Sequence, residues 1–111
     1  MKSNDAFPAG TLSPIVGVGA SAGGLVALEQ LLSHLPLRSG LAFVIVQHRD
    51  PHREGMLVEL LQRHTSMPVL ETRDQVQVEP DHVYVIPPGR DLGVLQGVLH
   101  LLQPLATTDG R

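Results

Sequence analysis

The chain has 111 residues, no cysteine, a formal net charge of −3 at pH 7 and 42% hydrophobic residues. This length accommodates one domain, and this apolar content is enough for a core, which excludes a wholly disordered protein. Without cysteine there is no disulfide, thiolate nucleophile or cysteine metal site. The slightly acidic charge and the 3% aromatic content argue against nucleic-acid binding.

The N-terminal residues 1–14 mix small polar residues with two prolines and show no periodicity, so they predict a flexible tail. They lack the apolar core of a secretory signal. No apolar stretch in the chain approaches the roughly 18 residues that a membrane-spanning helix needs. We therefore expect a soluble cytoplasmic protein with no membrane insertion.

The apolar pattern of the first half predicts the order strand, helix, strand, helix. Leucines recur every three to four residues in both predicted helices, and a proline follows each of them. The second strand, "LAFVIV", is apolar throughout, which is typical of a parallel sheet covered on both faces. The predicted elements are strand 15–19, helix 22–35, strand 41–46 and helix 54–64.

The second half predicts strands only. Val76 and Val78 alternate with glutamines, and residues 82–86 form a strand that stops at Pro87. Two apolar runs, 92–95 and 98–102, flank Gln96-Gly97 and predict a β-hairpin.

This order of elements predicts an α/β fold, with three layers and a mostly parallel, doubly wound, Rossmann-like sheet plus an antiparallel hairpin. Two helices are too few to cover both faces of such a sheet. We therefore expect the C-terminal part of the domain to be absent from this chain.

The glycine-rich stretch "GVGASAGG" directly follows the first strand and fits two motifs. Gly17, Gly19 and Ala22 match the dinucleotide fingerprint G-x-G-x-x-A. That fingerprint also needs an acidic residue at the tip of the second strand, where the first carboxylate here is Asp50, beyond the strand end. The sequence therefore disfavours a dinucleotide site.

The same stretch matches the nucleophile elbow G-x-S-x-G, with Ser21 at its centre. Glycines allow the sharp turn from strand to helix, and backbone N–H groups at Ala22 and Gly23 are placed to stabilise an oxyanion. In an α/β-hydrolase the elbow comes deeper in the chain, so that particular fold is not expected. The simpler alternative is that Ser21 only caps the following helix.

His48 favours chemistry over capping, because it directly follows the second strand. If the two strands are parallel neighbours, their tips lie about 4.8 Å apart at one edge of the sheet. Ser21 and His48 would then be within reach of a hydrogen bond, and the imidazole could serve as general base.

Three segments, "IVGVGASAGGLVALEQLLSHLP", "LAFVIVQHRDP" and "HVYVIPPGRDL", closely resemble the catalytic domain of CheB-type protein-glutamate methylesterases. These sequences are most similar to the methylesterase domain at the N-terminus of methylesterase–methyltransferase fusion proteins in chemotaxis-like two-component signalling. The resemblance implies a partial methylesterase domain over residues 15–104, followed by a flexible tail over 105–111.

The resemblance also implies the activity. Such enzymes are Ser-His-Asp hydrolases that remove γ-methyl groups from glutamates on the cytoplasmic helices of chemoreceptors, and they also deamidate receptor glutamines. Ser21 matches the nucleophile and His48 the general base. The implied partners are methylated chemoreceptors and a methyltransferase module, and no cofactor is implied.

One part of the family pattern is not matched. The triad acid of the family lies in a G-x-G-x-D-G motif downstream of the hairpin, whereas the given sequence stops at Arg111. Asp109-Gly110 matches the last two residues of this motif, but the preceding glycines are missing. We therefore expect a truncated fragment, weakly active or inactive alone; the alternative is a non-catalytic interaction remnant of the same fold. Fourteen N-terminal residues are also too few for a receiver domain.

Three further features of the sequence need an interpretation. A metal cluster of His48, His52 and His64 is not favoured, since no histidine pair has helical spacing. The loop 87–92 either lines the active-site crevice, with Arg90 facing an acidic receptor surface, or is only a rigid turn. Asp50 most simply caps the second helix.

Overall fold

The computed structural model describes residues 13–20, 24–36, 38–47 and 56–103. The predicted tails lie outside this part except for residues 13 and 14. The Pro14 carbonyl accepts a hydrogen bond from the Ala42 N–H (3.0 Å), so sheet pairing starts one residue before the first strand. The elements are β1 Ile15–Ala20, α1 Leu25–His34, β2 Ala42–Gln47, α2 Leu57–Gln62, β3 Val69–Glu71, β4 Val76–Gln77, β5 Val83–Val85, β6 Asp91–Leu95 and β7 Val98–Leu102.

The strands form two sheets. Four of them pair in parallel in the order β1-β2-β5-β3, and the other three pair antiparallel in the order β4-β7-β6. The predicted fold class, a mostly parallel α/β sheet with an antiparallel hairpin, is confirmed.

Successive side chains of β2 contribute alternately to two hydrophobic cores on opposite faces of the parallel sheet. Phe43 and Ile45 pack with α1 and α2, whereas Ala42 and Val44 pack with residues of the antiparallel sheet. The layers are thus helices, parallel sheet and antiparallel sheet. Because both faces of β2 are covered, this strand contains apolar residues at both alternating sets of positions.

The hairpin turns where the sequence indicated. Leu95 pairs with Val98 across the two-residue turn, and both turn residues have positive φ, 52° at Gln96 and 79° at Gly97. Two consecutive left-handed residues are the requirement of a type I′ turn, whose twist matches that of the flanking strands.

Strand β3 was not expected from the sequence. It has only three residues, and its parallel pairing with β5 joins segments that are distant in the chain. The side chain of Gln62, the last residue of α2, donates hydrogen bonds to the carbonyls of Thr65 (3.1 Å) and Met67 (2.8 Å). It also accepts a hydrogen bond from the Val69 N–H (2.9 Å). One glutamine therefore connects the end of α2 to the start of β3.

Tyr84, in the middle of β5, is only 2% exposed. Its hydroxyl oxygen accepts a hydrogen bond from the Glu79 N–H at 2.8 Å, and its ring stacks on His82 with centroids 6.0 Å apart. Burial raises the pKa of the Tyr84 phenol above its ordinary value of 10.0. The folded state therefore favours the neutral phenol.

This shift predicts a pH-dependent effect of Tyr84→Phe. At pH 7 the free energy of unfolding of the variant should be about 1 kcal/mol lower than that of wild type, because the Glu79 N–H loses its acceptor. Above pH 10 the unfolded phenol ionises while the folded one resists, so wild-type stability falls as pH rises through the folded-state pKa. Urea unfolding should show that the stability difference between wild type and the variant is smaller at pH 11 than at pH 7. Since Tyr84 is the one tyrosine in the sequence, an equal deficit at both pH values would contradict this account.

Candidate active site

The C-terminal ends of β1 and β2 meet at one edge of the parallel sheet. Ala20, the last residue of β1, pairs with Gln47, the last residue of β2. In the sequence Ser21 follows Ala20 and His48 follows Gln47. The condition on which the serine–histidine prediction depended, that these two strands are parallel neighbours, is therefore met.

The predicted site residues themselves, Ser21, Ala22, Gly23 and His48, lie outside the described residues. Their roles remain predictions, and the structure informs them only through the strand ends and the helix start on either side.

The end of β1 and the start of α1 lie close together. A Cβ atom on Gly24 would stand 3.0 Å from the Cβ of Ala20, closer than ordinary side-chain contacts allow. A side chain at position 24 would therefore crowd the end of β1, and glycine avoids this contact. The N-cap residue of α1 is Gly24, which has no side chain with which to cap the helix. Ser21, the cap in the simpler alternative, lies outside the described residues, so both interpretations of Ser21 stay predictions.

The dinucleotide alternative fails to find support. Gly17 and Gly19 lie inside β1, paired with Val44 and Val46, rather than in the turn that follows it. Among the described residues, a Cβ on Gly17 would meet nothing within 4 Å, and a Cβ on Gly19 would meet the Val46 carbonyl at 3.9 Å. The fingerprint needs its glycines at the turn after the strand, whereas Gly17 and Gly19 are residues of β1 itself.

Gln47 is a residue that the sequence analysis did not single out. Alternation along β2 puts it on the helix side of the sheet, with Phe43 and Ile45. Its amide nitrogen Nε2 is buried and has no hydrogen-bond partner among the described residues. The available signal was a polar residue at the end of an otherwise apolar strand.

The loop after β5 leaves the sheet at this same edge, because β5 runs parallel to β2 and pairs with it. Pro87 and Pro88 are half-buried, and Gly89 and Arg90 are exposed. Their position agrees with the expected crevice rim, whereas contact of Arg90 with a receptor stays a prediction.

His64 lies elsewhere and does not support the metal alternative. Its Nδ1 is 3.3 Å from Ser33 Oγ, and its Nε2 is 3.6 Å from the Glu29 carboxylate, so it joins the end of α2 to α1. Among the described residues no three potential metal ligands cluster. His48 and His52 lie outside them.

A pocket of about 270 Å³ is found at the opposite edge of the sheet, where β3 and β5 begin. Asp81, one of its lining residues, accepts hydrogen bonds from the N–H groups of Ser39 (2.9 Å) and Gly40 (3.0 Å). These bonds fasten the segment before β5 to the segment before β2. The pocket is therefore not part of the candidate active site.

Within the described part of the chain, no helix has the length and apolar character needed to cross a membrane.

Known proteins with similar sequences share a name that joins two activities. In the curated relatives, "protein-glutamate methylesterase/protein-glutamine glutaminase 2" of Xanthomonas oryzae pv. oryzae is 36% identical over 86 residues, which is 78% of this chain and 24% of that protein. A similarly named protein, numbered 1, from Myxococcus xanthus is 34% identical over 82 residues, 74% of this chain and 24% of that protein. The chain thus spans about a quarter of the length of these relatives.

Comparison with solved structures agrees with the sequence relatives. The crystal structure of the Thermotoga maritima CheB methylesterase catalytic domain superposes with a TM-score of 0.69 and 28% identity, covering 83% of this chain and 50% of that one. The model of the CheB methylesterase family matches residues 16–109. This chain therefore belongs to the CheB methylesterase family.

Proposed function

We propose that this chain contributes the nucleophile and the general base of a protein-glutamate methylesterase, Ser21 and His48. The observation that supports this most is the register of the parallel sheet, which pairs Ala20 with Gln47. The next residue along each strand is then the serine and the histidine. Open α/β sheets bind their ligands at this carboxyl edge.

The proposed reaction is acyl transfer in two steps. The Ser21 hydroxyl attacks the γ-carbonyl carbon of a methylated glutamate, while His48 takes the hydroxyl proton. The tetrahedral oxyanion is stabilised by the N–H groups of Ala22 and Gly23. The bond to the methoxy group then breaks, and His48 returns the proton so that methanol leaves. Water, activated by His48, hydrolyses the acyl-enzyme to glutamate and restores Ser21.

The same chemistry accounts for glutamine deamidation, in which ammonia leaves instead of methanol. The relatives' names join these two activities, since a γ-ester and a γ-amide differ only in the leaving group. We propose methylated cytoplasmic helices of chemoreceptors as the substrate, a methyltransferase module as a functional partner, and the cytoplasm as the location. We further propose that the domain covers residues 15–104 of this chain, with flexible tails on either side.

The triad acid is not assigned to a residue of this chain. In one serine protease, replacing the acid lowers kcat about 10⁴-fold, because the acid holds the imidazole in the productive tautomer. A test that needs one covalent event rather than full turnover is therefore the more direct one.

The test is labelling of the 111-residue protein with a fluorophosphonate, located by peptide mass spectrometry. We expect one adduct, at Ser21, that Ser21→Ala abolishes and that a peptide carrying glutamate γ-methyl ester slows. Ser33→Ala is the matched control, because Ser33 lies on the surface of α1. No adduct at Ser21, or equal labelling of all serines, would contradict the proposal and favour a non-catalytic interaction module. Labelling of Ser21 without peptide protection would count against the glutamyl ester as substrate.

A further inference from the structure

We propose that His64 is a pH-sensitive link between the two helices, complete when its imidazole ring is protonated and weakened when the ring is neutral. The three side chains that form this link, Glu29, Ser33 and His64, all lie in the described part of the chain. The inference is independent of the proposed function, since no group of the candidate active site takes part in it.

The ring of His64, just beyond the end of α2, lies against two side chains of α1. Its Nδ1 atom is 3.3 Å from Ser33 Oγ, and its Nε2 atom is 3.6 Å from Glu29 Oε2. Both helices contribute leucines to the core on the helix side of the parallel sheet. The link therefore joins the two elements that cover this core.

The hydrogen bonding of Ser33 decides which protons the ring needs. The Ser33 hydroxyl donates its single proton to the Glu29 carbonyl at 2.8 Å, a bond that serine often makes to the preceding turn of its own helix. Toward the ring, Ser33 Oγ can then only accept, so Nδ1 must carry a proton. The ionised Glu29 carboxylate also only accepts, so Nε2 must carry a proton as well.

Only the imidazolium form meets both requirements. A neutral ring has one N–H group, so either tautomer makes one of the two contacts and turns a lone pair toward an oxygen in the other. The protonated ring donates at both nitrogens and pairs with the charge of Glu29. The stability that the link contributes is therefore present at acidic pH, where the ring is charged, and is lost as pH rises and the ring gives up its proton.

The surroundings of the ring add no second ion pair in the described part of the chain. The other charged or titratable side chains of the two helices, of the residue after α2 and of the turn after α1 are His34, Arg38, Glu59 and Arg63. The Nδ1 atom of His34 is instead 2.7 Å from the Gln30 carbonyl of its own helix. The charge that faces His64 from the neighbouring helix is thus that of Glu29.

The test is urea unfolding of the 111-residue protein at pH 5.5 and pH 8.0, on either side of the ordinary histidine value of about 6.5. At pH 5.5 we expect the midpoint of Glu29→Gln to be about 0.3 M lower than that of wild type, because the ion pair is lost. At pH 8.0 the two midpoints should coincide. Glu59→Gln is the matched control, since it makes the same change at an exposed glutamate of α2, and its difference from wild type should be equal at both pH values.

Ser33→Ala tests whether both ring nitrogens must donate. The higher helix propensity of alanine should raise the midpoint equally at both pH values. The midpoint at pH 5.5 minus that at pH 8.0 should be smaller than in wild type, because a neutral ring can then donate to Glu29 without facing a second oxygen. A difference between Glu29→Gln and wild type that is equal at both pH values would overturn the proposal, and so would a wild-type pH dependence in Ser33→Ala.

Discussion

Replacing His48 by alanine is expected to slow the phosphonate labelling of Ser21 by about 10²–10⁴-fold, the usual contribution of a general base. A serine hydroxyl is a weak nucleophile until a neighbouring base takes its proton. The register that pairs Ala20 with Gln47 is what leads us to expect this neighbour to be His48. Added imidazole should restore part of the rate, because it supplies the missing base from solution.

The matched control is His64→Ala. His64 contacts Ser33 and Glu29 between the two helices, so its replacement should leave the labelling rate unchanged. Its contacts are partly exposed, and such pairs contribute less than about 1 kcal/mol to stability. If both histidine variants labelled at the wild-type rate, His48 would not be the base. If both slowed equally, the effect would be structural rather than chemical.

Leu61→Ala is expected to lower the free energy of unfolding by about 2–5 kcal/mol. Leu61 is 0% exposed and belongs to the helix-side core, together with Phe43 and Ile45 of β2. Truncation would remove apolar contacts and leave a cavity between α2 and the sheet. Urea unfolding followed by circular dichroism would measure the change. At the largest destabilisation the variant would show no folded baseline even at low urea.

Leu95→Ala provides the comparison with the same chemical change at an exposed position. Leu95 is 63% exposed at the hairpin turn, so its truncation should change stability by no more than about 0.5 kcal/mol. Similar losses in the two variants would contradict the placement of the core between α2 and the parallel sheet.

The sequence was sufficient for features that depend on local chemistry. Gln96-Gly97 predicted the hairpin turn because a type I′ turn needs two left-handed residues, which this pair supplies. The apolar run of β2 predicted a strand covered on both faces, and the leucine spacing of α1 predicted a helix with a buried side. The candidate serine and histidine were also visible in the sequence, because each directly follows a recognisable strand.

Other features depended on contacts between segments far apart in the chain, and no local pattern announces such contacts. β3 is a strand only because three residues after Pro68 pair with β5. The strand order decides that β1 and β2 share an edge, without which Ser21 and His48 would be unrelated residues. Gln47 and Gln62 look alike in sequence. Only the tertiary structure shows that the Gln62 amide bonds to three backbone groups, whereas the Gln47 amide nitrogen has no partner in the described part of the chain. Hydrogen bonding depends on which groups packing brings to a separation of about 3 Å.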